Sequence, residues 1–258
     1  MEATQIIKAF PTFTKIIEGG RLPKAHILHV SEFFCDSIQG EGVNAGVPAA
    51  FLRLQGCSLN CDWCDTTEVW RQGNPYTYKE LFDLMDSVGL PNKLLHGQHL
   101  VLTGGSPLCQ QMSVLVFLEE FVKKYGFVPY VEIENECTIQ PMYELVPYIS
   151  CWNNSPKLSN SGNDVDRCYK PRILQNLSRL DNAWFKFVIT SQKEWDEIDC
   201  LYISTTAIKK EQIILMPQGA TKEELEANRE TVIEIAIKHG VRYCTREHIV
   251  VWGKKIGI

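Results

Sequence analysis

Short apolar runs alternate along the chain with longer amphipathic stretches. The runs that fit buried strands are residues 26–30, 49–54, 98–103, 128–133, 148–154, 183–189, 211–216 and 247–252. Between several of them, apolar residues recur with the period of a helix. Strand and helix therefore alternate about six times, which predicts a parallel sheet joined by right-handed crossovers.

Two capping boxes mark where helices begin. Thr77-x-x-Glu80 opens a predicted helix that runs to about residue 88, and Thr221-x-x-Glu224 opens one that ends near Gly240. Residues 108–125 and a segment from Gln192 onward are also expected to be helical. Residues 158–171 are polar and rich in Asn and Ser, which predicts a surface loop.

Polar or unusual residues follow several of the predicted strands. They are Arg53, Thr103-Gly104-Gly105, Glu134, Ser155-Pro156-Lys157 and Pro217-Gln218. In parallel α/β folds the carboxyl ends of the strands build the active site. Arg53 has two interpretations: an arginine at the mouth of the sheet paired with a carboxylate, or a planar fork for the carboxylate of a ligand.

The segment after the second of these strands carries the clearest chemistry. Cys57, Cys61 and Cys64 form the pattern C-x3-C-x2-C. A structural zinc site normally has four protein ligands arranged as two pairs. Iron–sulfur clusters likewise usually take four cysteines, so a trio implies that another molecule binds the remaining iron. The pattern indicates a metal centre with one open position.

Composition limits the partners and the compartment. The chain has 258 residues, is 45% hydrophobic and carries a formal net charge of -5. This charge argues against a broad electrostatic grip on nucleic acid or anionic membrane, and no apolar stretch is long enough to span a bilayer. The first residues do not form a signal peptide. We therefore expect a cytoplasmic protein with reduced thiols. The remaining cysteines are expected to be small buried hydrophobes: Cys35, Cys109, Cys137, Cys151, Cys168, Cys200 and Cys244.

Residues 30–258 resemble the 7-carboxy-7-deazaguanine synthases, a family of radical S-adenosylmethionine enzymes. The resemblance is carried by the segments 37–42 (SIQGEG), 51–57 (FLRLQGC), 61–66 (CDWCDT), 103–105 (TGG), 155–157 (SPK), 215–217 (LMP) and 252–258. It implies an α/β fold with a partial (β/α)6-type barrel, possibly abbreviated, preceded by an N-terminal extension over residues 1–29.

The resemblance also implies a reaction. Family members convert 6-carboxy-5,6,7,8-tetrahydropterin to 7-carboxy-7-deazaguanine and ammonia, on the way to 7-deazapurine nucleosides such as queuosine. A 4Fe-4S cluster, S-adenosylmethionine and Mg²⁺ are the expected cofactors. The expected partners are the pterin, an electron donor such as flavodoxin or ferredoxin, and a second copy of the chain in a homodimer.

The resemblance assigns roles to individual residues. The cluster ligands would be Cys57, Cys61 and Cys64, and Thr66 would bind Mg²⁺. The cofactor contacts would be Trp63, Cys64, Asp65, Gly105, Ser155, Pro156, Lys157, Met216, Pro217, Gln218 and Gly219. The substrate contacts would be Ile38, Gln39, Gly40, Arg53, Thr103 and Ile258.

Two segments depart from the family pattern. The family usually has Gly-Gly-Glu-Pro after the second strand, with the glutamate near the amino group of the cofactor, but here Ser106 replaces that glutamate. The family's Glu-Thr-x-Gly is replaced by Glu134-Asn135-Glu136-Cys137. Three alternatives stay open at this point: a structural zinc module, an activase of glycyl-radical enzymes, and a non-catalytic homologue retained for binding.

Overall fold

A ten-stranded sheet organises the part of the chain described in the computed structural model, namely residues 4–7, 27–253, 255 and 257. Its strands are β1 (Thr4–Ile7), β2 (Ile27–Ile38), β3 (Pro48–Leu54), β4 (Asn74–Thr77), β5 (His99–Gly104), β6 (Val131–Asn135), β7 (Cys151–Asn154), β8 (Ala183–Ile189), β9 (Ile213–Pro217) and β10 (Arg242–Tyr243). The order is β1-β2-β3-β5-β6-β7-β8-β9-β10, and β4 pairs with β2.

The strands from β3 to β10 along this order are all parallel. The parallel sheet predicted from the sequence is therefore confirmed. At its other edge β2 runs antiparallel to β3, and both β1 and β4 run antiparallel to β2. The sequence did not predict this antiparallel edge.

Helices connect the strands, and several of them pack on one face of the sheet. They are α1 (Thr67–Trp70), α2 (Tyr78–Ser87), α3 (Leu90–Leu95), α4 (Gln111–Tyr125), α5 (Val165–Cys168), α6 (Pro171–Ser178), α7 (Gln192–Glu197), α8 (Lys222–His239) and α9 (Glu247–Trp252). Short 3-10 turns lie at Pro107–Gln110, Val146–Tyr148, Ser159–Ser161 and Lys210–Gln212, and Ile198–Ile203 continues α7 with π-type bonding. Among the residues described, no helix combines the length and apolar character that crossing a membrane requires.

The predicted helix starts are largely confirmed. Thr77 and Glu80 form both hydrogen bonds of a capping box at the start of α2. At α8 the Thr221 hydroxyl accepts from the Glu224 N–H, but the Glu224 carboxylate accepts from Ala220 N–H instead of from the N-cap. This second box is therefore formed only in half.

Alternate residues of the parallel strands face two different environments. One set packs against the helices in the main apolar core, including Leu52, Leu54, Leu102, Ile133, Trp152, Phe185, Phe187 and Leu215. The residues between them line a cavity on the other face, including Arg53, Thr103, Glu134, Asn153, Lys186 and Met216. Because side chains in a strand point alternately to opposite faces, these strands contribute residues both to the core and to the cavity.

Three expectations about local structure are wrong. Residues 247–252 form the helix α9, not a strand, and the last strand is the two-residue β10. Residues 158–171 contain a 3-10 turn and α5, with Leu158, Ser161 and Cys168 buried, so they are not a plain surface loop. The thiol of Cys200 is exposed and that of Cys109 is partly exposed, whereas the other five scattered cysteines are buried as expected.

The proposed division between residues 29 and 30 falls within β2. On its N-terminal side, Thr4–Ile7 pairs with Phe33–Cys35 of that strand. Much of the remaining N-terminal segment lies outside the described residues, so a separate extension over residues 1–29 stays a prediction.

Candidate active site

A cavity of about 870 Å³ opens at the carboxyl ends of the parallel strands. Nearly all of the residues that the sequence assigned to the site line it: Ile38, Gln39, Gly40, Arg53, Cys57, Cys61, Trp63, Cys64, Asp65, Thr66, Thr103, Gly105, Ser155, Lys157, Met216, Pro217, Gln218 and Gly219. Pro156 does not line the cavity, and Ile258 lies outside the described residues. Ser106 is fully buried and is also absent from the cavity wall.

Glycine brings the cysteine loop against the end of β5. A Cβ atom at Gly105 would lie 2.4 Å from the carbonyl oxygen of Gly56 and 2.5 Å from Cβ of Cys57. The Ser106 N–H also donates to the Gly56 carbonyl at 2.7 Å. Any side chain at position 105 would therefore push the first cysteine away, which gives Gly105 a steric role beside its predicted cofactor contact.

Each thiol of the cysteine trio has an N–H group within reach of its sulfur. Leu59 N–H donates to Cys57 Sγ at 3.4 Å, Asn163 Nδ2 to Cys61 Sγ at 3.3 Å, and Trp70 Nε1 to Cys64 Sγ at 3.5 Å. Such donors stabilise negative charge on cluster sulfur and are among the groups by which proteins set the potential of iron–sulfur clusters.

The segment from Ser159 to Cys168 holds the other side of the cysteine loop. Asp62 N–H donates to the Ser161 carbonyl at 3.0 Å, and Trp63 Nε1 donates to the Asn160 carbonyl at 2.9 Å. Arg167 Nη2 donates to the Ser58 carbonyl at 3.0 Å. The role of this segment could not be predicted from the sequence, because its composition is that of a loop and its partners lie about a hundred positions away.

The three thiols differ in acidity in the cluster-free protein. Burial raises the pKa of Cys57 to about 12, and burial also raises the pKa of Cys61. Burial opposes ionisation of Cys64 as well, but hydrogen bonds from Thr67, Trp70 and Thr66 outweigh it and lower the pKa of Cys64. Cys64 is therefore the thiol most readily available as a thiolate.

The cysteine loop suits a cluster better than a single ion. Within residues 4–7, 27–253, 255 and 257, no three His, Cys, Asp or Glu side chains converge closely enough to hold one metal ion. A 4Fe-4S cluster has no such requirement, because each cysteine binds a different iron. Three cavity-lining thiols, each with its own N–H donor, fit this group.

Arg53 forms the ion pair that the first interpretation predicted, and its contact with a ligand carboxylate stays a prediction. Its Nε donates to Glu32 Oε1 at 2.9 Å, and Glu32 is almost completely buried. Burial would lower the pKa of Arg53, but the carboxylate of Glu32 raises it, so the guanidinium stays charged. Its Nη groups have no hydrogen-bond partner in the described part of the chain, and Arg53 lines the cavity. The ion pair fixes the fork and leaves its outer edge for a ligand.

A buried ion cluster, defined here as Glu41, Asp65, Lys186 and Arg246, forms part of the cavity wall. Glu41 accepts from Lys186 Nζ and from Arg246 Nε at 2.8 Å, and Arg246 Nη2 donates to Asp65 at 2.5 Å. Burial alone would raise the pKa of Glu41, but the two cations hold that pKa well below its usual range. The cluster is neutral as a whole, with two charges of each sign.

Lys186 and Arg246 were not among the site residues predicted from the sequence. A signal was available for Lys186, because it interrupts the apolar strand β8 in the same way that Arg53 interrupts β3. Arg246 lies in the connection before α9, where its type and spacing give no such signal.

The segment after β2 is shaped by close packing. Gln39 donates through Nε2 to Glu132 at 3.3 Å and accepts at Oε1 from Glu41 N–H at 3.2 Å. A Cβ atom at Gly40 would lie 2.0 Å from Nδ1 of His248, and the Gly40 carbonyl accepts from Glu247 N–H at 2.9 Å. Gly40 thus allows α9 to pack closely against this segment, and the contact of Gln39 and Gly40 with substrate stays a prediction.

The expected cofactor contacts form two groups. Lys157 Nζ lies 5.6 Å from the ring centroid of Trp63 and donates to Ser155 Oγ at 2.7 Å. On the other side, Gln218 N–H donates to the Ile189 carbonyl at 3.1 Å, and the Gly219 carbonyl accepts from Arg246 at 2.9 Å. The structure brings both groups to the same cavity as the cysteine loop.

Thr66 lies directly after the trio, at the N-cap of the short helix α1. Its side chain makes no capping hydrogen bond, and its Oγ1 lies 3.8 Å from Cys64 Sγ. Thr66 lines the cavity together with Asp65 and Arg53. A hydroxyl in this position can serve a hard cation that takes its other ligands from substrate and water.

The parallel sheet, the cavity at its carboxyl edge and the open cysteine trio together define a radical S-adenosylmethionine enzyme. A family model described as a 4Fe-4S single cluster domain matches residues 38–132. A search of solved structures finds the crystal structure of QueE from Escherichia coli, with a TM-score of 0.65 and 24% identity, over 86% of this chain and 95% of that chain. This likeness supports the fold.

Curated sequences identify the branch of the superfamily. The chain is 31% identical over 230 residues to the 7-carboxy-7-deazaguanine synthase of Pyrobaculum aerophilum, covering 89% of this chain and 97% of that protein. It is 32% identical over 246 residues to the synthase of Rhodopirellula baltica, covering 89% and 88%. The chain belongs to the 7-carboxy-7-deazaguanine synthase family.

Proposed function

We propose that this protein is a 7-carboxy-7-deazaguanine synthase, which contracts the ring of 6-carboxy-5,6,7,8-tetrahydropterin and releases ammonia. The observation that carries the proposal is the convergence of the cysteine trio, Arg53 and Thr66 on one cavity. All five residues come from β3 and the loop that follows it. The cluster site and the site for a ligand carboxylate are therefore adjacent, because they are formed by the same short segment of the chain.

The residues divide into a cluster side and a substrate side. Cys57, Cys61 and Cys64 would hold the cluster, which with S-adenosylmethionine supplies the radical that abstracts hydrogen from the substrate. Arg53 would bind the substrate carboxylate through its outer Nη edge, and Thr66 would bind Mg²⁺ beside it. The Thr103 hydroxyl donates to Glu134 Oε2 at 2.6 Å, and Thr103 would contact the pterin ring from the carboxyl end of β5.

The charge arrangement suits a negatively charged substrate that must be shielded from water. The ion pair with Glu32 holds the Arg53 guanidinium at the cavity wall, so binding of a carboxylate needs little reorganisation. The neutral ion cluster forms part of the cavity wall without adding an excess charge that would compete with Arg53. Exclusion of water protects a radical from quenching, which is the role expected of the protein when a cofactor carries the chemistry.

The wider setting follows from the same proposal. A low-potential donor such as flavodoxin or ferredoxin would reduce the cluster, and the enzyme would act in the cytoplasm as a homodimer. We also propose that residues 1–29 form an N-terminal extension separate from the radical S-adenosylmethionine domain. Native mass spectrometry measures the dimer directly.

The decisive test is product formation by the reconstituted protein. The cluster-loaded enzyme would be supplied anaerobically with S-adenosylmethionine, Mg²⁺, reductant and 6-carboxytetrahydropterin, and 7-carboxy-7-deazaguanine would be measured by mass spectrometry. The expected product is one equivalent of ammonia and one of the deazaguanine per turnover. An intact cluster that yields no deazaguanine, while 5′-deoxyadenosine accumulates with another substrate, refutes the proposal.

Two variants separate the sides of the site. Cys61→Ala is expected to abolish the cluster and all turnover. Arg53→Ala combined with Glu32→Gln removes the fork without leaving a buried carboxylate, and is expected to retain the cluster while KM for the pterin rises about 10- to 100-fold. Arg172→Ala, at an exposed position of α6, is the matched control. An unchanged KM in the double variant would remove Arg53 from the substrate site.

A further inference from the structure

Glu136 is a buried carboxylate of the cavity wall with one oxygen that has no hydrogen-bond partner among the described residues. Glu136 follows β6, is 4% exposed and lines the cavity. Its Oε1 accepts from Ser58 at 2.8 Å and from Thr138 at 2.6 Å. Its Oε2 is buried and has no hydrogen-bond partner among the described residues. A buried carboxylate with an unsatisfied oxygen is costly unless a cation or a donor completes it.

Four of the cations that line the cavity are held by other groups. Arg53 pairs with Glu32, Lys186 and Arg246 belong to the buried ion cluster, and Lys157 donates to Ser155. None of these four forms an ion pair with Glu136 in the described part of the chain, and the partner of Lys157 is the neutral hydroxyl of Ser155. The missing positive charge is therefore expected to come from a ligand.

The position of Glu136 indicates which ligand. Ser58, which holds Oε1, immediately follows the cluster ligand Cys57. This hydrogen bond places the carboxylate on the cluster side of the cavity, which Cys57 also lines. The ligand expected there is S-adenosylmethionine, whose amino acid end carries an ammonium group.

We propose that Glu136 binds the ammonium group of S-adenosylmethionine through Oε2, while Ser58 and Thr138 hold its other oxygen in place. The inference rests on the proposed function only in requiring this cofactor. The pairing completes the one unsatisfied oxygen of the carboxylate and gives the cofactor amine a charged partner in a region sheltered from water. Glu136 is thus a cofactor-binding residue that joins the end of β6 to the cysteine loop.

A binding measurement tests the pairing without turnover. The probes are S-adenosylhomocysteine and the same thioether with its amino group replaced by hydrogen, titrated calorimetrically into the cluster-loaded protein under anaerobic conditions. Wild-type protein is expected to prefer the amine-bearing ligand by about 10- to 100-fold, the range for a hydrogen bond between charged groups. Glu136→Gln is expected to lose most of that preference, and Glu134→Gln, whose carboxylate is already bound by Thr103, is expected to keep it.

The outcomes distinguish pairing from a structural role. If Glu136 served only to orient Ser58, Glu136→Gln would weaken both ligands by the same factor, and the preference for the amine would survive. That result, or a wild-type protein with no preference, overturns the proposal. A wild-type protein that binds neither ligand overturns the proposed function as well. Iron and sulfide content of each variant confirms that the cluster is loaded.

Discussion

Asn163 offers a direct test of the hydrogen bonds around the cysteine trio. Its Nδ2 donates to Cys61 Sγ at 3.3 Å, while its Oδ1 accepts from Asn60 N–H at 3.2 Å and fixes which end of the amide faces the sulfur. Reduction adds negative charge to the cluster, so an N–H donor stabilises the reduced form more than the oxidised form. Asn163→Ala should therefore lower the reduction potential.

The size of the shift follows from the strength of one hydrogen bond. A net contribution of about 0.5–1.5 kcal/mol, converted at about 59 mV per tenfold change for one electron, corresponds to about 20–60 mV. Since the donor also interacts with the oxidised cluster, the upper end of this range is a limit. Asn163→Asp removes the donor and adds a negative charge, so it should lower the potential further.

The assay is a mediated redox titration of the cluster-loaded protein, followed by the electron paramagnetic resonance signal of the reduced cluster. Trp70→Phe, which removes the donor to Cys64 but retains the ring, should shift the potential in the same direction. Asn176→Ala, at an exposed site on α6, is the control. An unchanged or raised potential in Asn163→Ala, with iron and sulfide content intact, would refute the reasoning.

Three further predictions concern stability and assembly. Glu41→Gln removes one of the two negative charges that balance Lys186 and Arg246 in the buried ion cluster. The free energy of unfolding of the iron-free protein, measured with denaturant, should fall by about 3–5 kcal/mol. A decrease below about 1 kcal/mol would contradict this. Burial lowers the pKa of His248 to about 4, so on acidification the unfolded chain binds a proton at this histidine before the folded chain does. The free energy of unfolding should therefore fall by about 3 kcal/mol as the pH drops from 6.5 to 4. His248→Gln should lose this dependence when unfolding is measured as a function of pH. Gly105→Ala should displace Cys57 and reduce the iron content of the protein. Gly97→Ala is the control, because its Cβ would meet nothing within 4 Å; it should lower the free energy of unfolding by only about 1–2 kcal/mol, owing to the left-handed backbone at that position. Equal iron content in both variants would contradict the steric argument.

Where the sequence predicted the fold well, local pattern and final environment agree. The strands from β3 to β9 carry apolar residues on the face where several helices pack, and their interruptions mark the cavity. Arg53 was identified for this reason. The cysteine loop was predictable because the spacing of its thiols carries the chemistry by itself.

Where prediction failed, distant partners decide the structure. Ser31, Glu32 and Asp36 disfavour a strand locally, yet β2 continues to Ile38 because Glu32 pairs with Arg53 and the Ser31 hydroxyl donates to the Gln72 carbonyl. A six-residue apolar run such as 247–252 fits a strand or a helix equally well. In the structure, the N–H of Glu247, the first residue of this run, donates to the Gly40 carbonyl, and β10 already occupies the sheet edge beside β9. The run therefore has no free strand to pair with at that edge and forms α9.

The departures from the family pattern gain a physical meaning in the structure. Cys137 has a φ of 68°, in the left-handed region that glycine prefers, at the position where the family usually has glycine. The adjacent Glu136 reaches the cavity, whereas Ser106 does not. Neither fact could be obtained from the sequence, because both depend on how the end of β6 turns.

The contact between the segment 159–168 and the cysteine loop has a consequence for biosynthesis. Asn163 and Cys61 are separated by 102 positions along the chain, and Asp62 and Ser161 by nearly as many. Contacts between such distant positions form late in folding, since the intervening chain must first be ordered. When the three cysteines emerge from the ribosome, residues 159–168, which contact their loop, have not yet been synthesised. We expect iron to be loaded after synthesis of the chain, with the cell's cluster-delivery proteins meeting a folded domain instead of a nascent one.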